Sequence, residues 1–192
     1  MSDKPLFFTS DLHFGHENVI KYCDRPFKDA AHMNEELVRR WNAKVPTNGR
    51  VYILGDVGFM NHHALRDILF RLNGELHLVF GNHDKVIRNQ RMLQERFSTM
   101  SELTEVKHKS GGEKLRFVLC HYAMRVWDGS HRGTMHLYGH SHGSMPDDPN
   151  SLSMDVGIDT TSDYAPYSVD QILVHMYKKS YKPVDHHGTK PR

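Results

Sequence analysis

Cysteine is scarce in this sequence. The 192 residues include only Cys23 and Cys120, which form no Cys-x-x-Cys pair. This argues against a small domain held by disulfides and against a structural zinc site built from thiolates. We therefore expect two free thiols in a reducing cytoplasm.

Long apolar runs and a strong net charge are also missing. The opening residues MSDKPLFF contain only three consecutive apolar side chains, far fewer than the core of a signal peptide or a membrane span requires. The net charge of +2 is too small to indicate a general nucleic-acid binder. The sequence predicts a cytoplasmic protein that does not bind membranes. Nucleic acid is compatible with the sequence only as a substrate.

No repeat, low-complexity tract or linker divides the chain. Its length suits one domain that buries about 70% of the surface of the unfolded chain. The hydrophobic content of 38% and the charged content of 25% are typical of globular proteins. We predict a single domain over residues 1–192, with a loose C-terminal tail after about residue 182 that includes His186 and His187.

Strand and helix patterns alternate in the first half of the chain, whereas strands follow one another in the second half. The pattern predicts strands at 5–11, 50–56 and 76–82, and helices at 29–45, 62–73 and about 85–97. It then predicts strands within 101–121 on both sides of Gly111–Gly112, at 135–140 and at 151–159, before a helix that begins with a capping box at Ser168–Gln171. This order favours an α/β protein with mixed sheets.

Histidine is abundant, with sixteen residues, and several histidines lie where apolar runs end. Five such runs end in FTSDLH (8–13), ILGD (53–56), VFGNHD (79–84), VLCH (118–121) and LYGHSH (137–142). Ligand sites of open α/β sheets lie outside the carboxyl ends of the strands, where residues distant in sequence converge. The candidate metal ligands are Asp11, His13, Asp56, Asn82, His121, His140 and His142.

Seven nitrogen and oxygen ligands are too many for one tetrahedral zinc ion. They suit two divalent ions that share a bridging carboxylate and a water molecule. The absence of thiolates favours manganese, iron or zinc, and we expect manganese, with iron, zinc or nickel as alternatives. Gly81 and Gly139 precede two of the polar clusters, where a missing side chain permits a sharp turn and a close approach of the backbone.

Five sequence blocks occur in a defined order between residues 11 and 142. They are Asp11-x-His13, Gly55-Asp56, Gly81-Asn82-His83-Asp84, His121 and Gly139-His140-x-His142. The set resembles the motifs of the calcineurin-like metallophosphoesterase superfamily, especially its small bacterial and phage members without a cap domain. The resemblance implies a four-layer α/β/β/α sandwich with two mixed β-sheets and a dinuclear metal centre.

The resemblance also implies a role for each block. Asp56 would bridge the two ions. Their other ligands would be Asp11, His13 and His142 for the first ion, and Asn82, His121 and His140 for the second. A hydroxide activated by the two ions would attack phosphorus, and His83 would act as general acid toward the leaving oxygen. Asp84 would position the His83 ring.

Candidate substrate contacts flank these blocks. His16 and Asn18 follow the first block, where a contact with substrate and a role at a helix start are equally consistent with the sequence. Arg125, His131 and Arg132 lie between the last two histidine blocks. Arginine is well suited to phosphate recognition, while a solvated loop is the alternative.

The sequence predicts a phosphoesterase whose substrate is a small phosphoester or nucleotide-like molecule. A phosphodiester is favoured because no inserted cap encloses the site. The second block, GDVGFMN, and the Asp84 that ends the third block depart from the protein phosphatases of the superfamily. The alternatives are a phosphomonoesterase with the same site and a metal-binding interaction scaffold without turnover. The sequence predicts no particular oligomeric state.

Overall fold

The structure is a computed structural model that describes residues 4–182 and residue 184. His186 and His187, and all of the predicted tail except Lys182 and Val184, lie outside the described residues. Among the residues described, no helix is long and apolar enough to cross a membrane.

Short strands and helices alternate in the first half of the described residues, and strands follow one another in the second half. The strands are β1 (Leu6–Thr9), β2 (Arg50–Ile53), β3 (Glu75–Val79), β4 (Phe97–Ser101), β5 (Leu103–Ser110), β6 (Glu113–Cys120), β7 (Met135–Tyr138), β8 (Ser153–Asp155) and β9 (Tyr167–Ser168). The helices are α1 (Glu17–Tyr22), α2 (Ala30–Lys44), α3 (His62–Leu69), α4 (Lys85–Asn89), α5 (Arg91–Gln94) and α6 (Val169–Met176). Two 3-10 turns cover Ser130–Arg132 and Ile158–Thr160.

The strands form two mixed sheets. The first has the order β4-β3-β2-β1-β9, in which β1 to β4 are parallel and β9 runs antiparallel to β1. The second has the order β5-β6-β7-β8, in which the β5–β6 pair is antiparallel and the other pairs are parallel. The predicted α/β fold with two mixed β-sheets is confirmed.

The first sheet is apolar on both faces because it separates two hydrophobic clusters. Phe7 packs on one face with the buried side chains of α2, including Met33, Leu37 and Trp41. Phe8 points the other way and packs with the inner face of the second sheet. This inner cluster includes Leu54, Val79, Phe117, Leu119, Leu137, Met154 and Ile172. Burial of each large apolar side chain contributes about 1.5–3 kcal/mol, so the two clusters fix the sheets that carry the candidate ligands.

Several short elements differ from the sequence-based prediction. The segment 85–97 is not one helix: it contains α4 and α5, and Phe97 already begins β4. After the buried Phe97, residues 98–100 of β4 are exposed, so no apolar alternation marks this strand. The elements α1 and β9 are too short to produce a periodic pattern. The capping box of α6 is present, with the Ser168 side chain accepting from the Gln171 backbone N–H.

Candidate metal centre

The carboxyl ends of β1, β2, β3, β6 and β7 converge, and all seven predicted ligands lie there. Among the described residues, three compact groups form, each with three potential ligand atoms within 4.8 Å of one another: one contains Cys23, His142 and Asp159, and the other two consist only of predicted ligands. We call these two the Asp11 group, which contains Asp11, His13 and His142, and the Asp56 group, which contains Asp56, His121 and His140. The seventh residue, Asn82, joins the Asp56 group through its side-chain oxygen.

The Asp11 group contains buried polar atoms without a protein partner. Asp11 Oδ1 lies 3.9 Å from Nε2 of His13 and 3.9 Å from Nε2 of His142. Asp11 Oδ1 and both ring nitrogens of His13 are buried without a hydrogen bond, which costs about 1–3 kcal/mol for each group left unpaired. Such spacings fit ligands bound to one ion at about 2.0–2.2 Å. The chemistry of this donor set therefore suits a divalent cation.

Asp56 connects the two groups. Its Oδ2 atom lies 3.7 Å from Nε2 of His13 and 3.7 Å from Nε2 of His121, so one oxygen faces a histidine of each group. Nε2 of His121 also lies 2.9 Å from the Oδ1 atom of Asn82. The ring centroid of His140 lies 5.1 Å from that of His121. The Asp56 carboxylate therefore lies between the two ligand groups.

Carbonyl and carboxylate acceptors orient two of the histidines. His121 Nδ1 donates to the Leu54 carbonyl oxygen at 2.7 Å, so its Nε2 lone pair faces the site. His142 Nδ1 lies 2.6 Å from Asp159 Oδ2, while its Nε2 faces Asp11. Acceptors of this kind fix the tautomer and the orientation of metal-binding imidazoles.

Arg25 supports the Asp11 group through Asp159 and the backbone of Asp11. No sequence pattern indicated this role for Arg25. Its buried guanidinium donates to both carboxylate oxygens of Asp159, at 2.7 and 2.8 Å, and to the backbone oxygens of Asp11 and Leu12. Burial acts to raise the pKa of Asp159, but hydrogen bonds from His142 and Arg25 outweigh it, and the pKa is lowered. Asp159 therefore stays ionised and holds the His142 ring.

Burial favours the uncharged forms of the other Asp11-group ligands when no cation is bound. It raises the pKa of Asp11 to about 7, although His142 opposes this effect. It also lowers the pKa of His13, together with the positive charges of His142 and Arg25. A divalent ion would stabilise the ionised Asp11 and bind the neutral His13, so the electrostatics suit the same occupant as the geometry.

Five of the seven predicted ligands have a left-handed backbone. Their φ angles are 57° at Asp11, 53° at His13, 54° at Asp56, 67° at His140 and 48° at His142. Each such residue costs about 1–3 kcal/mol unless its surroundings enforce the conformation, and strain of this kind clusters at functional sites. The chain leaves β1, β2 and β7 through such residues, and their polar side chains meet at a common point.

Two glycines make room for the carboxylates. A Cβ atom on Gly81 would lie 2.3 Å from Asp56 Oδ1, and one on Gly139 would lie 1.9 Å from Ser10 Oγ and 2.5 Å from Asp11 Oδ2. Neither glycine has a positive φ. These positions therefore require glycine because neighbouring side chains approach the backbone closely, and not for an unusual backbone conformation.

We expect Gly139→Ala to destabilise the metal-free protein by at least about 1–3 kcal/mol, the usual cost of overpacking. The added methyl group must displace Ser10 or Asp11, and both are fully buried. Urea unfolding measures the loss, and Gly111→Ala is the control because its Cβ meets nothing within 4 Å while its φ of +56° carries the backbone cost alone. An equal loss in the two variants would contradict this account.

Asp84 does not have the role expected from the resemblance. Its buried carboxylate accepts hydrogen bonds from the backbone N–H groups of Asp56, Val57 and Gly81, at 3.0, 3.0 and 2.7 Å. Within the described residues it forms no hydrogen bond with the His83 ring. The contacts that the carboxylate does make hold together the loops that carry the ligands.

His83 and His16 lie beside the ligand groups, whereas Asn18 is exposed on α1. The His16 ring stacks on Phe59 at a centroid distance of 4.4 Å and lies 5.4 Å from the His13 ring. Phe59 also contacts the exposed His83. No pattern in the sequence separates Phe59 from an ordinary loop residue.

Tyr122 is a second residue beside the ligands that no sequence pattern indicated. Its exposed ring packs edge-on against His121 and His140, with centroid distances of 5.0 and 4.9 Å. Its hydroxyl donates to Asn82 Oδ1 at 3.4 Å. Tyr122 therefore forms the rim of the Asp56 group.

The loop after Tyr122 carries the arginines predicted to contact phosphate. Arg125 lines a cavity of about 640 Å³ with Trp127, and Arg132 Nη2 lies 3.9 Å from Asp128. Neither arginine forms a hydrogen bond or ion pair with a ligand side chain in the described structure, and His131 lies in the intervening 3-10 turn. The geometry therefore does not support the predicted phosphate contacts of these arginines.

Comparison with known proteins identifies relatives along most of the chain. No protein-family model matches. The uncharacterised protein MJ1445 of Methanocaldococcus jannaschii is 32% identical over 180 residues, which cover 90% of this chain and 92% of that protein. The Gene 66 protein of Mycobacterium phage D29 is 28% identical over 184 residues, which cover 84% and 91%.

A protein of unknown function from Aquifex aeolicus, AQ665, has the same fold. Its crystal structure gives a TM-score of 0.63 at 21% identity and covers 90% of this chain and 100% of that chain. The identity with MJ1445 across most of both sequences shows a common family, and the five ordered blocks converge in the structure as two ligand groups. The chain belongs to the family of MJ1445.

Proposed function

We propose that this protein is a metal-dependent phosphoesterase that hydrolyses a phosphodiester. The observation that carries the proposal is Asp56 Oδ2, which lies 3.7 Å from a histidine nitrogen of each ligand group. Paired cation sites that share a carboxylate are suited to in-line displacement at phosphorus. The buried atoms of Asp11 and His13 without partners support the same assignment.

Two divalent ions fit this set of donors, with manganese as our first choice and iron, zinc or nickel as alternatives. One ion would be held by the Asp11 group and the other by the Asp56 group with Asn82, while Asp56 contributes to both. When bound, such ions lower the pKa of a water nucleophile and offset negative charge on the phosphoryl oxygens.

The protein supplies the proton for the leaving oxygen from His83. This residue is exposed, so a substrate can reach its ring, and it belongs to neither ligand group. Its backbone N–H donates to Asp56 Oδ1 at 2.9 Å, which fixes the acid next to the shared carboxylate. A positioned general acid typically contributes about 10²–10⁴-fold to the rate.

The charge around the site favours a diester over a monoester. Arg125 and Arg132 form no hydrogen bond or ion pair with the ligands, and the guanidinium of Arg25 is already bound by Asp159. Strong monoester preference requires several charged donors to hold the second negative charge. A neutral donor, the Tyr122 hydroxyl, stands at the rim instead.

We expect kcat/KM for bis-nitrophenyl phosphate to equal or exceed that for nitrophenyl phosphate at saturating manganese. Both values should fall to background when a chelator removes the metal. Both substrates release nitrophenolate. The ratio of the two kcat/KM values therefore reports the effect of the second ester group and of the difference in charge. A monoester advantage above tenfold, about 1.4 kcal/mol, would exclude the phosphodiesterase and favour a phosphomonoesterase with the same site.

The scaffold alternative has a separate test. A protein that binds two ions per chain by elemental analysis but hydrolyses neither ester, nor cyclic nucleotides, nucleic-acid ends, or sugar or lipid phosphodiesters, is not the enzyme proposed here. Retention of all seven candidate ligands and of His83 argues against this outcome.

A further inference from the structure

The ring of His83 lacks the partner that a general acid usually has. Asp84 is occupied by three backbone N–H groups, and no side chain within the described residues forms a hydrogen bond with the His83 ring. The backbone N–H of His83 is held by Asp56 Oδ1, but this bond leaves the two side-chain torsions free. Another contact must restrict the ring if it is to meet a leaving oxygen.

Among the described residues, Phe59 makes the closest ring contact with His83. The two centroids lie 4.6 Å apart with an interplanar angle of 49°, whereas the next ring, that of His13, lies at 6.2 Å. Aromatic pairs at 4.5–7 Å are stabilising by about 0.5–1.5 kcal/mol beyond the area they bury. This contact therefore favours one orientation of the His83 ring.

Phe59 is itself held from two directions. Its ring stacks on His16 at 4.4 Å and on His13 at 5.1 Å, with interplanar angles of 25° and 12°. Its backbone N–H donates to the Phe14 carbonyl oxygen at 2.8 Å. The ring is still 36% exposed, so it covers the edge of the site and does not belong to the hydrophobic core.

We propose that Phe59 is the positioning residue for His83, in the role that the resemblance assigned to Asp84. The inference rests on the proposed function, because His83 needs a defined orientation only if it donates a proton. Loss of the ring would leave His83 and the ligands in the protein but would let the imidazole rotate. A small misplacement of a catalytic group reduces the rate by up to about 10²-fold.

The test compares Phe59→Leu with the wild-type protein, with Phe59→Tyr as the conservative variant and Phe70→Leu as the control. Phe70 is also exposed and contacts only Arg66 among the ring contacts described. We expect the NMR signals of the His83 ring, identified by their absence in His83→Asn, to move in Phe59→Leu and not in Phe70→Leu. For an alkyl phosphodiester, kcat should fall about 10–100-fold at unchanged metal content, and Phe59→Tyr should restore most of it.

A double variant separates positioning from a general structural effect. In the His83→Asn background, Phe59→Leu should change kcat by less than about twofold, because residues that act as one unit are not additive. Unchanged His83 signals, a full additional loss in the double variant, or loss of metal from Phe59→Leu would overturn the positioning role alone. A wild-type protein that hydrolyses no phosphoester would overturn the proposed function and this inference together.

Discussion

Asp56→Asn is expected to abolish hydrolysis, with a loss of at least about 10³-fold in kcat/KM and fewer than two ions bound per chain. Asp56 Oδ1 accepts from the His83 backbone N–H, while Oδ2 faces both ligand groups. An asparagine that keeps the hydrogen bond places its NH₂ group, which cannot bind a cation, between the two sites. The opposite rotamer places the NH₂ donor next to the His83 N–H donor, so the hydrogen bond between residues 56 and 83 is lost. Metal chemistry supplies several kcal/mol at the transition state, and 1.36 kcal/mol is a factor of ten.

Elemental analysis of manganese-saturated protein and steady-state kinetics measure this prediction. Asp67→Asn is the matched control, because Asp67 is an exposed carboxylate on α3 that belongs to neither ligand group. The metal-free Asp56→Asn protein should fold, since the substitution removes a charge from a site rich in acidic groups. Two tightly bound ions together with activity within tenfold of the wild-type value would refute a bridging role for Asp56.

The ligand groups could be predicted from the sequence because they depend on strand ends. Asp11 and His142 come from opposite halves of the chain, but each follows an apolar run, and the ends of parallel strands meet at one edge of the fold. The same reasoning finds Gly139, which the packing of Asp11 requires. Periodicity identified the strands, and the strands determine where polar side chains converge.

The residues that support the ligands do not all lie at strand ends, but one of them, Asp159, could have been predicted. Asp159 ends the segment SMDVGID, which begins at β8. This segment has the pattern of the other five strand ends, an apolar run followed by a polar residue, and it therefore indicated Asp159 as a site residue. Arg25 had none, since a single charged residue normally lies at the surface, whereas here its guanidinium is buried against Asp159. Arg125 and Phe59 lie in loops, whose course depends on tertiary packing and not on a local period.

His83→Asn is expected to lower kcat for alkyl phosphodiesters by about 10²–10⁴-fold, the range for loss of a general acid, while both ions stay bound. The residue belongs to neither ligand group, and its backbone hydrogen bond to Asp56 does not depend on the side chain. An amide cannot deliver a proton to an alkoxide. The loss should be much smaller for nitrophenyl esters, because nitrophenolate leaves without protonation.

The leaving-group dependence is what separates an acid from a ligand or from a residue that only binds the phosphate. His63→Asn is the control, because His63 is an exposed histidine on α3 whose described ring contact is with the neighbouring His62. It should change neither metal content nor rate for either class of ester. Equal losses for alkyl and nitrophenyl esters in His83→Asn would argue against proton donation. Loss of an ion would contradict the assignment of His83 as an acid that the metal sites do not need, because His83 belongs to neither ligand group.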